Sequence, residues 1–350
     1  MEKRVTLRDL AKATGVHFTT VGLALRCDPR VSAATVARVQ AVALRLGYTQ
    51  DAMLSALSTY RHRHSHRLAG VIAYIVTYRP EEINVTESQL LGAATAHART
   101  RNFHLEPFQI HAKDMTAVRM TKLLRARGIQ GIILPPRLPA PGPMEDLEWN
   151  YFSPIAVGYS ITSPNLHRVC ANQAHNTRLC VTQLRERGYR RVGLILPREL
   201  YERSRGHVLG AYMAEQCLQP AAHQVSPLFA PHAEITKARV HQWLRAERIE
   251  AIALTGMPLE ILGWVQELGY KVPDDIGLAM VSRFGKTDHI AGIDERLQSL
   301  GEAAVDAVIA MISHNERGLP AYPRHLLLEG RWVERPTVRD LTSETGALVG

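Results

Sequence analysis

From residue 68 onward, short apolar segments that are typical of strands alternate with longer segments of helical periodicity. The predicted strands are 68–78, 104–111, 129–134, 155–157, 168–170, 191–196, 251–255 and 276–281. The predicted helices are 87–101, 115–127, 177–187, 206–217, 235–247 and 259–268. Strands joined through helices run parallel and carry helices on both faces of the sheet. We therefore expect an α/β region of two doubly wound parallel-sheet subdomains, with a ligand cleft at the carboxyl ends of the strands.

The first 50 residues have a different pattern, which predicts three short helices. Thr6 can cap the first helix, and Asp9 can complete a capping box with it. Gly15 allows a tight turn before a second helix at 18–26, and Ser32 can cap a third helix. The apolar residues predicted to form the buried stripe of the third helix are Val36, Val39, Ala43, Leu44 and Leu46. This pattern is typical of an all-α helix-turn-helix unit, which either binds DNA or serves as plain scaffolding.

Most of the positive charge of the chain lies in its first fifth. The formal net charge is +9. Residues 1–67 carry +7, because eleven Lys and Arg residues stand against four Asp and Glu residues, and the other residues carry +2. This concentration predicts a module that binds a polyanion. Charge alone leaves DNA, RNA and an acidic membrane surface open as partners.

The first 50 residues resemble the lactose-repressor and galactose-repressor (LacI/GalR) family of bacterial transcriptional regulators. The matching stretches are Val-Thr-Leu-Arg-Asp-Leu-Ala at 5–11, Gly-Val at 15–16, Thr-Val at 20–21, Val-Ser-Ala-Ala-Thr at 31–35 and Leu-Gly-Tyr at 46–48. Weaker matches follow at 184–193, 268–277, 291–294 and 300–304. The resemblance implies a DNA-binding headpiece followed by a periplasmic-binding-protein-like domain that binds a small-molecule effector and forms a homodimer.

The resemblance also implies which residues contact DNA. The matching positions are Thr6, Leu7, His17, Phe18, Thr19, Thr20, Leu23, Arg26, Ser32, Thr35, Tyr48 and Leu57. Helix 18–26 is implied to lie in the major groove of a palindromic operator, where Phe18, Thr19 and Leu23 read bases. Leu57 is implied to wedge into the minor groove at the end of a hinge helix.

Several of these positions depart from the family pattern. His17 and Gly22 replace the usual serines, and Leu23 replaces a frequent arginine. Leucine favours contact with thymine methyl groups, whereas arginine pairs with guanine, so we expect an unusual operator. In the hinge segment, Asp51 places an acid near phosphates and Ser55 replaces a frequent arginine.

The effector is less well defined by the resemblance. Met257-Pro258, His207 and Phe284 stand where the family usually has the polar anchors Asn-Asp, Arg and Asp. The candidates to line the cleft are Tyr78, Arg79, Arg137, Arg205, His207, Arg283 and Asp294. For each of them, a surface position or an internal salt bridge is an equally good interpretation. Their excess of arginine suggests an anionic ligand, such as a carbohydrate derivative, as a hypothesis.

These features divide the chain into four parts. Residues 1–50 form the headpiece, and residues 51–67 form the hinge helix and a basic linker. Residues 68–338 form the effector-binding and dimerisation domain. We expect an N-subdomain of about 68–170 plus 295–320, and a C-subdomain of about 171–290 plus 321–338. Residues 339–350 form a tail.

Other sequence motifs do not predict an enzyme, a metal site or a cofactor. The four cysteines are widely scattered, and arginines interrupt the alternating histidines His62, His64 and His66. Gly285-Lys286-Thr287 lacks the earlier glycine of a phosphate-binding loop, and there is no GxSxG or HExxH motif. No apolar run approaches the ~18 residues that span a bilayer. We therefore expect a cytoplasmic, non-enzymatic regulator, most simply a repressor, with no cofactor, no metal and no membrane partner.

A second hypothesis is a solute-binding or sensory interaction protein whose headpiece has degenerated. The departures at His17, Gly22, Leu23 and Asp51 support it. The resemblance implies that Thr6, Thr20, Ser32, Thr35 and Tyr48 contact phosphates, and these residues and Leu57 are retained, which argues against it. Absent or salt-independent DNA binding would favour this alternative, because neutralised phosphates make binding steeply salt-dependent.

Overall fold

The chain forms a small helical headpiece and a larger α/β region. The computed structural model describes residues 5–25, 28, 30–48, 69–76, 85–110, 112, 115–136, 146–283 and 287–340. The headpiece contains α1 (Leu7–Thr14), α2 (Phe18–Leu25) and α3 (Ala33–Arg45). The predicted hinge helix and basic linker (51–67) and most of the tail lie outside the described residues.

Local capping sets the helix boundaries of the headpiece. The Thr6 hydroxyl accepts a hydrogen bond from the backbone N–H of Asp9 at 3.3 Å, and the Asp9 carboxylate accepts one from the N–H of Thr6 at 2.9 Å. This confirms the predicted capping box. Gly15 ends α1 with a φ of 68°, a left-handed conformation that suits glycine. Ser32 caps α3 by accepting a hydrogen bond from the N–H of Thr35 at 3.3 Å.

A small apolar core joins the three headpiece helices. Its buried members are Leu10, Val21, Ala24, Val39 and Ala43. The prediction that Leu44 and Leu46 are buried was wrong, because 86% of Leu44 and 38% of Leu46 are exposed. One residue along a helix turns the side chain by about 100°, so Leu44 points away from the face that carries Ala43.

The α/β region contains twelve strands and eight helices in the described residues. The strands are β1 (Gly70–Val76), β2 (Phe103–Gln109), β3 (Gly131–Leu134), β4 (Ser153–Val157), β5 (His167–Ala171), β6 (Val192–Pro197), β7 (Leu228–Ala230), β8 (Ala251–Leu254), β9 (Gly277–Arg283), β10 (Ala291–Asp294), β11 (His325–Leu328) and β12 (Arg331–Val333). The helices are α4 (Val85–Thr100), α5 (Ala117–Ala126), α6 (Gln173–Glu186), α7 (Arg198–Arg203), α8 (His207–Cys217), α9 (Lys237–Ala246), α10 (Pro258–Glu267) and α11 (Leu297–His314).

The strands form two six-stranded sheets, one in each of two lobes. The first sheet has the order β11-β5-β4-β3-β1-β2, and the second has the order β12-β10-β9-β8-β6-β7. Neighbouring strands run parallel, except that β12 is antiparallel to β10. The strand order 2-1-3-4-5 recurs in both sheets, so each has the doubly wound arrangement that the sequence predicts.

Both faces of each sheet are buried under helices. In β1, Ala73 and Ile75 pack with α5, whereas Ile72 and Tyr74 pack with α4 and α11. In the second lobe, α6 and α8 cover one face and α9 and α10 cover the other. Burial on both faces explains why these strands are continuous apolar runs in the sequence.

The chain crosses between the lobes three times, and the last crossing differs from the sequence-based division. The predicted boundary assigned residues 321–338 to the second subdomain. In the structure, His325–Leu328 is the edge strand of the first sheet and pairs with β5, so the crossing lies at 329–330. Leu326 and Leu327 are largely exposed, so β11 lacks the alternation of buried residues that would have revealed it.

No helix in the described part of the chain is long and apolar enough to cross a membrane.

Candidate functional site

The N-terminal end of α2 presents three exposed side chains. His17, Phe18 and Thr19 are exposed, and 46% of Phe18 is accessible. His17 Nδ1 and the Thr19 hydroxyl lie 2.8 Å apart, within hydrogen-bond distance, and the rings of His17 and Phe18 lie 4.4 Å apart. The opposite side of α2 is anchored in the core by Val21 and Ala24. The helix therefore has a fixed buried face and a polar and aromatic end that is free to contact a ligand.

The other candidate DNA contacts that the structure describes also lie at helix ends. Thr6 and Ser32 are the N-caps of α1 and α3, and Thr35 lies in the first turn of α3. N–H groups and the helix dipole make such ends suitable for phosphate. The remaining described members, Leu7, Thr20, Leu23 and Tyr48, are partly buried. Arg26 and Leu57 lie outside the described residues.

A cavity of about 310 Å³ separates the carboxyl ends of the two sheets. Residues at or just after the ends of six strands line it: Gly158, Gln173, Leu196, Thr255, Ser282 and Glu295. The first turn of α4 adds Thr86 and Glu87. Open α/β sheets bind ligands at this end of their strands, so the position of the cavity is the one that the fold predicts.

A hydrogen-bonded carboxyl group lies on one wall of the cavity. Gln173 Nε2 donates a hydrogen bond to Glu295 Oε1 at 2.6 Å, and the Ser282 side chain also bonds this carboxyl group. Burial raises the pKa of Glu295 above its usual range, although the two hydrogen bonds oppose that shift. Gln173 begins α6 just after β5, and Glu295 directly follows β10, so this contact links two of the segments in which the chain crosses between the lobes.

A second carboxyl group lies in a more apolar part of the cavity. Glu87 is 6% exposed, and burial raises its pKa to about 7. Leu90, Leu297 and Leu300 line the same cavity. The walls therefore combine apolar surface with a few polar groups that can hydrogen-bond a ligand, as is typical of small-molecule sites.

Two family models match the two parts of the chain. Residues 6–51 match the family described as "Bacterial regulatory proteins, lacI family". The chain belongs to this LacI/GalR family. Residues 181–338 match the periplasmic binding protein-like domain, a range that covers most of the second lobe together with α11 and β11 of the first lobe. Among proteins with curated functions, none matches the chain by sequence.

Solved structures with the same fold include further regulators of this family. The CelR–cellobiose complex is 17% identical, with a TM-score of 0.55 over 95% of this chain and 100% of that chain. The lac repressor dimer bound to operator and an anti-inducer is also 17% identical, with a TM-score of 0.52 over 96% of this chain and 99% of that one. A LacI-family protein from Chloroflexus aggregans is 18% identical, with a TM-score of 0.58 over 77% of this chain and 98% of that one. At these identities the comparison establishes the shared fold.

The architecture of this LacI-family protein is therefore that of a DNA-binding transcriptional regulator with an effector domain. The lacI-family headpiece carries the exposed end of α2. The periplasmic-binding-protein-like region carries the cavity between two parallel sheets.

The candidate effector residues of the regulator lie in three places. Arg205 and His207 lie at the start of α8, beside Tyr159, which lines the cavity. Arg283 and Asp294 line a separate depression that also contains Arg331. Tyr78, Arg79 and Arg137 lie outside the described residues. Their roles in effector binding remain predictions.

Sequence reasoning missed the two carboxyl groups of the cavity. Glu87 and Glu295 were not among the candidates, because the selection favoured arginines and family anchor positions. Glu295 directly follows the end of β10, and a polar residue at the carboxyl end of a parallel strand was a signal that could have identified it. Among the described residues, no group of three or more His, Cys, Asp or Glu is placed to hold a metal ion.

Glu87→Gln should stabilise the protein at alkaline pH. The pKa of Glu87 is about 7 in the folded chain, whereas an ordinary glutamate titrates near 4.5. A raised folded pKa contributes stability below pH 4.5, and this contribution is lost as the pH rises through 7. We expect the variant to gain about 1 to 3 kcal/mol over the wild type at pH 8 and to show little gain near pH 4.5, as measured by denaturant unfolding.

The matched control for this experiment is Glu260→Gln. Glu260 also lies in the first turn of a helix, but it is exposed. Glu260→Gln should not reproduce the pH-dependent gain in the free energy of unfolding. An equal gain at both pH values for Glu87→Gln would show that ionisation of Glu87 does not oppose folding.

Proposed function

We propose that this regulator acts as a homodimeric repressor on a palindromic operator and that a small molecule in the inter-lobe cavity controls its affinity for that operator. The observation that supports this most directly is the combination, in one chain, of an exposed helix end in a lacI-type headpiece and a cavity at the junction of two lobes. Two headpieces related by a twofold axis would place two α2 helices on inverted half-sites.

The position of the cavity suggests how effector and operator binding are coupled. Its lining comes from both lobes, and the chain crosses between the lobes three times beside it. A ligand that contacts both walls stabilises one relative arrangement of the lobes. We propose that this arrangement sets the spacing of the paired hinge segments at 51–57. Linkage requires that operator DNA alter effector affinity by the same factor.

The polar groups of the cavity favour a hydroxylated effector, such as a carbohydrate or a carbohydrate derivative. Glu295, Gln173 and Ser282 offer both hydrogen-bond donors and acceptors, and the leucines around them offer apolar surface. A volume of about 310 Å³ lies at the small end of ligand sites. The solved CelR complex, which shares this fold, contains cellobiose.

Neither DNA binding nor effector binding requires a chemical step. We propose that the chain is not an enzyme and that it works in the cytoplasm, where operator DNA is accessible. The lacI-family headpiece supports both proposals.

Leu57→Ala tests the DNA-binding part of this proposal. If Leu57 wedges into the minor groove at the centre of the operator, its truncation should weaken operator binding by about tenfold to a hundredfold, or about 1.4 to 2.8 kcal/mol. Binding to a nonspecific duplex, which is dominated by phosphate contacts, should change much less. Fluorescence anisotropy with both duplexes measures the difference.

Leu218→Ala is the control for the loss of leucine side-chain volume. Leu218 lies at the C-terminal end of α8 and is 74% exposed. Its truncation should leave binding to both duplexes unchanged. Equal losses on operator and nonspecific DNA for Leu57→Ala would contradict the wedge role.

A further inference from the structure

Arg168 is a buried arginine without a carboxylate partner among the described residues. It lies in β5 and is 1% exposed. Its guanidinium donates hydrogen bonds to the carbonyl oxygens of Gly158 at 3.2 Å and Ile161 at 3.1 Å, and to Asn165 Oδ1 at 3.4 Å. Its Nε has no hydrogen-bond partner in the described part of the chain. These neutral oxygens hold the side chain in place but do not neutralise its charge.

A buried arginine and a partly buried arginine in the described region do have carboxylate partners. Arg187 bonds Glu334, with Nε 3.0 Å from Oε1. Arg185 bonds Glu215, with Nη1 3.1 Å from Oε2. Buried charges are normally paired, because an unpaired charge is costly to remove from water. Arg168 therefore departs from the pattern of its own protein.

Three further basic side chains lie near Arg168 or the neighbouring Tyr159, and they come from both lobes. His325 is the register partner of Arg168 on the neighbouring strand β11, so the two side chains share a face of the first sheet. Arg205 and His207 belong to the second lobe and lie at the start of α8. Burial and the surrounding positive charges lower the pKa values of Arg168, His207 and His325. None of these four residues forms an ion pair with a carboxylate in the described structure.

Tyr159 connects this cationic cluster, defined as Arg168, Arg205, His207 and His325, to the cavity. Its ring lies 4.7 Å from the ring of His207 and 5.9 Å from that of His325, both edge-on. Tyr159 also lines the cavity. The N-terminal end of α8 has no side-chain cap, so its helix dipole adds positive potential beside His207. The cluster therefore extends the effector site beyond Tyr159.

The separate depression near Arg283 has a smaller imbalance of charge. Arg331 Nε lies 3.1 Å from Asp294 Oδ2 there, and Arg283 faces Asp288 at 3.8 Å. Arg296 also lines the depression, so its lining combines three arginines with two aspartates. The four members of the cationic cluster, by contrast, have no carboxylate partner in the described structure.

We propose that the cationic cluster binds a tetrahedral oxyanion, a phosphoryl group, at the Tyr159 end of the effector cavity. The inference rests on the proposed function of the cavity as an effector site. A phosphoryl group matches arginine forks, histidine N–H groups and a helix N-terminus at the same time. It also bridges the two lobes, because Arg168 and His325 belong to one lobe and Arg205 and His207 to the other. The group is supplied either by a phosphorylated effector or by free phosphate.

Calorimetric titration of the full-length protein with inorganic phosphate tests the site without DNA. We expect saturable binding at one site per chain and a rise in the thermal unfolding temperature. Arg205→Gln and His325→Gln, which replace exposed side chains, should each weaken phosphate binding by about tenfold or more. Arg190→Gln removes the same charge from an exposed arginine before β6 and should leave phosphate affinity unchanged.

Absence of saturable phosphate binding would overturn the proposal, and so would an equal loss in the Arg190→Gln control. Because the titration contains no DNA, its result does not depend on whether the protein binds an operator.

A second experiment measures operator affinity in the presence of phosphate, glucose 6-phosphate or glucose. If only phosphate changes the operator affinity, the site binds the free anion. If only glucose 6-phosphate changes it, the site binds a phosphorylated effector. An effect of glucose alone would contradict the proposal.

Discussion

Val21→Asn should abolish sequence-specific DNA binding while leaving the α/β region folded. Val21 is fully buried in the core of the headpiece, on the face of α2 that packs against the other two helices. The substitution removes apolar packing and buries an amide without hydrogen-bond partners, which costs about 3 to 5 kcal/mol. A core of this size provides little stability in excess of that. We expect the operator affinity to fall by about a thousandfold or more, to the level of nonspecific binding or below.

Leu44→Asn is the matched control in the same headpiece. It introduces the same side chain in α3, at a position that is 86% exposed, and should change DNA affinity by less than about threefold. Both variants should retain the thermal transition of the α/β region. Operator binding by Val21→Asn within tenfold of the wild type would show that the packing of α2 on this core is not required for DNA recognition.

Gly292→Ala should have the largest effect on the stability of the effector domain. Gly292 lies in β10 with a φ of 145°, a conformation that L-residues rarely adopt. A Cβ at this position would lie 2.2 Å from the carbonyl oxygen of Met280 and 2.6 Å from its backbone nitrogen. Because these contacts are with backbone of the neighbouring strand, they cannot be relieved by a rotamer change. We expect a loss of at least about 3 kcal/mol and a thermal midpoint lowered by about 6 to 12 °C.

The same substitution in a helix provides the control. Gly263 lies in α10, and a Cβ there would meet nothing within 4 Å. Gly263→Ala should be neutral or stabilise the domain by about 0.5 to 1 kcal/mol, because alanine favours helix. Scanning calorimetry of the wild type, Gly292→Ala and Gly263→Ala compares their thermal midpoints. A Gly292→Ala midpoint equal to that of the wild type would contradict the close approach of β10 to β9.

The headpiece was largely predictable because its signals are local in sequence. The capping box of Thr6 and Asp9, the turn at Gly15 and the cap at Ser32 each depend on residues that are at most three positions apart. The exposed position of Leu44 was not predictable in this way. Helix α3 carries apolar residues on more than one face, so its sequence does not show which face is buried. Packing against α1 and α2 determines that face.

The two parallel sheets were predictable for a different reason. Strands buried on both faces require long apolar runs, and such runs are visible at β1, β6 and β9. The short strands β7, β10, β11 and β12 were missed. Strands of three or four residues have too few positions to show a period, and β11 is mostly exposed.

The candidate site was the least predictable part, because it depends on contacts between distant segments. Gln173 and Glu295 are 122 positions apart, yet they form one hydrogen-bonded pair in the cavity. Arg168 and His325 become neighbours only through the pairing of β5 with the edge strand β11. Arg205 and His207 were selected as residues near a strand end that could line the cleft, but the sequence did not indicate which other basic residues they approach.

DNA recognition is tested most directly by selecting bound duplexes from random DNA with the purified full-length protein at two salt concentrations. A regulator of this kind should enrich an inverted repeat with a flexible central step, and its affinity for that repeat should fall by about a thousandfold or more between 50 and 200 mM salt. Absence of an enriched repeat, both alone and with a mixture of cell metabolites, together with salt-independent binding, would contradict this expectation. That result would instead support a sensory protein whose headpiece no longer recognises an operator.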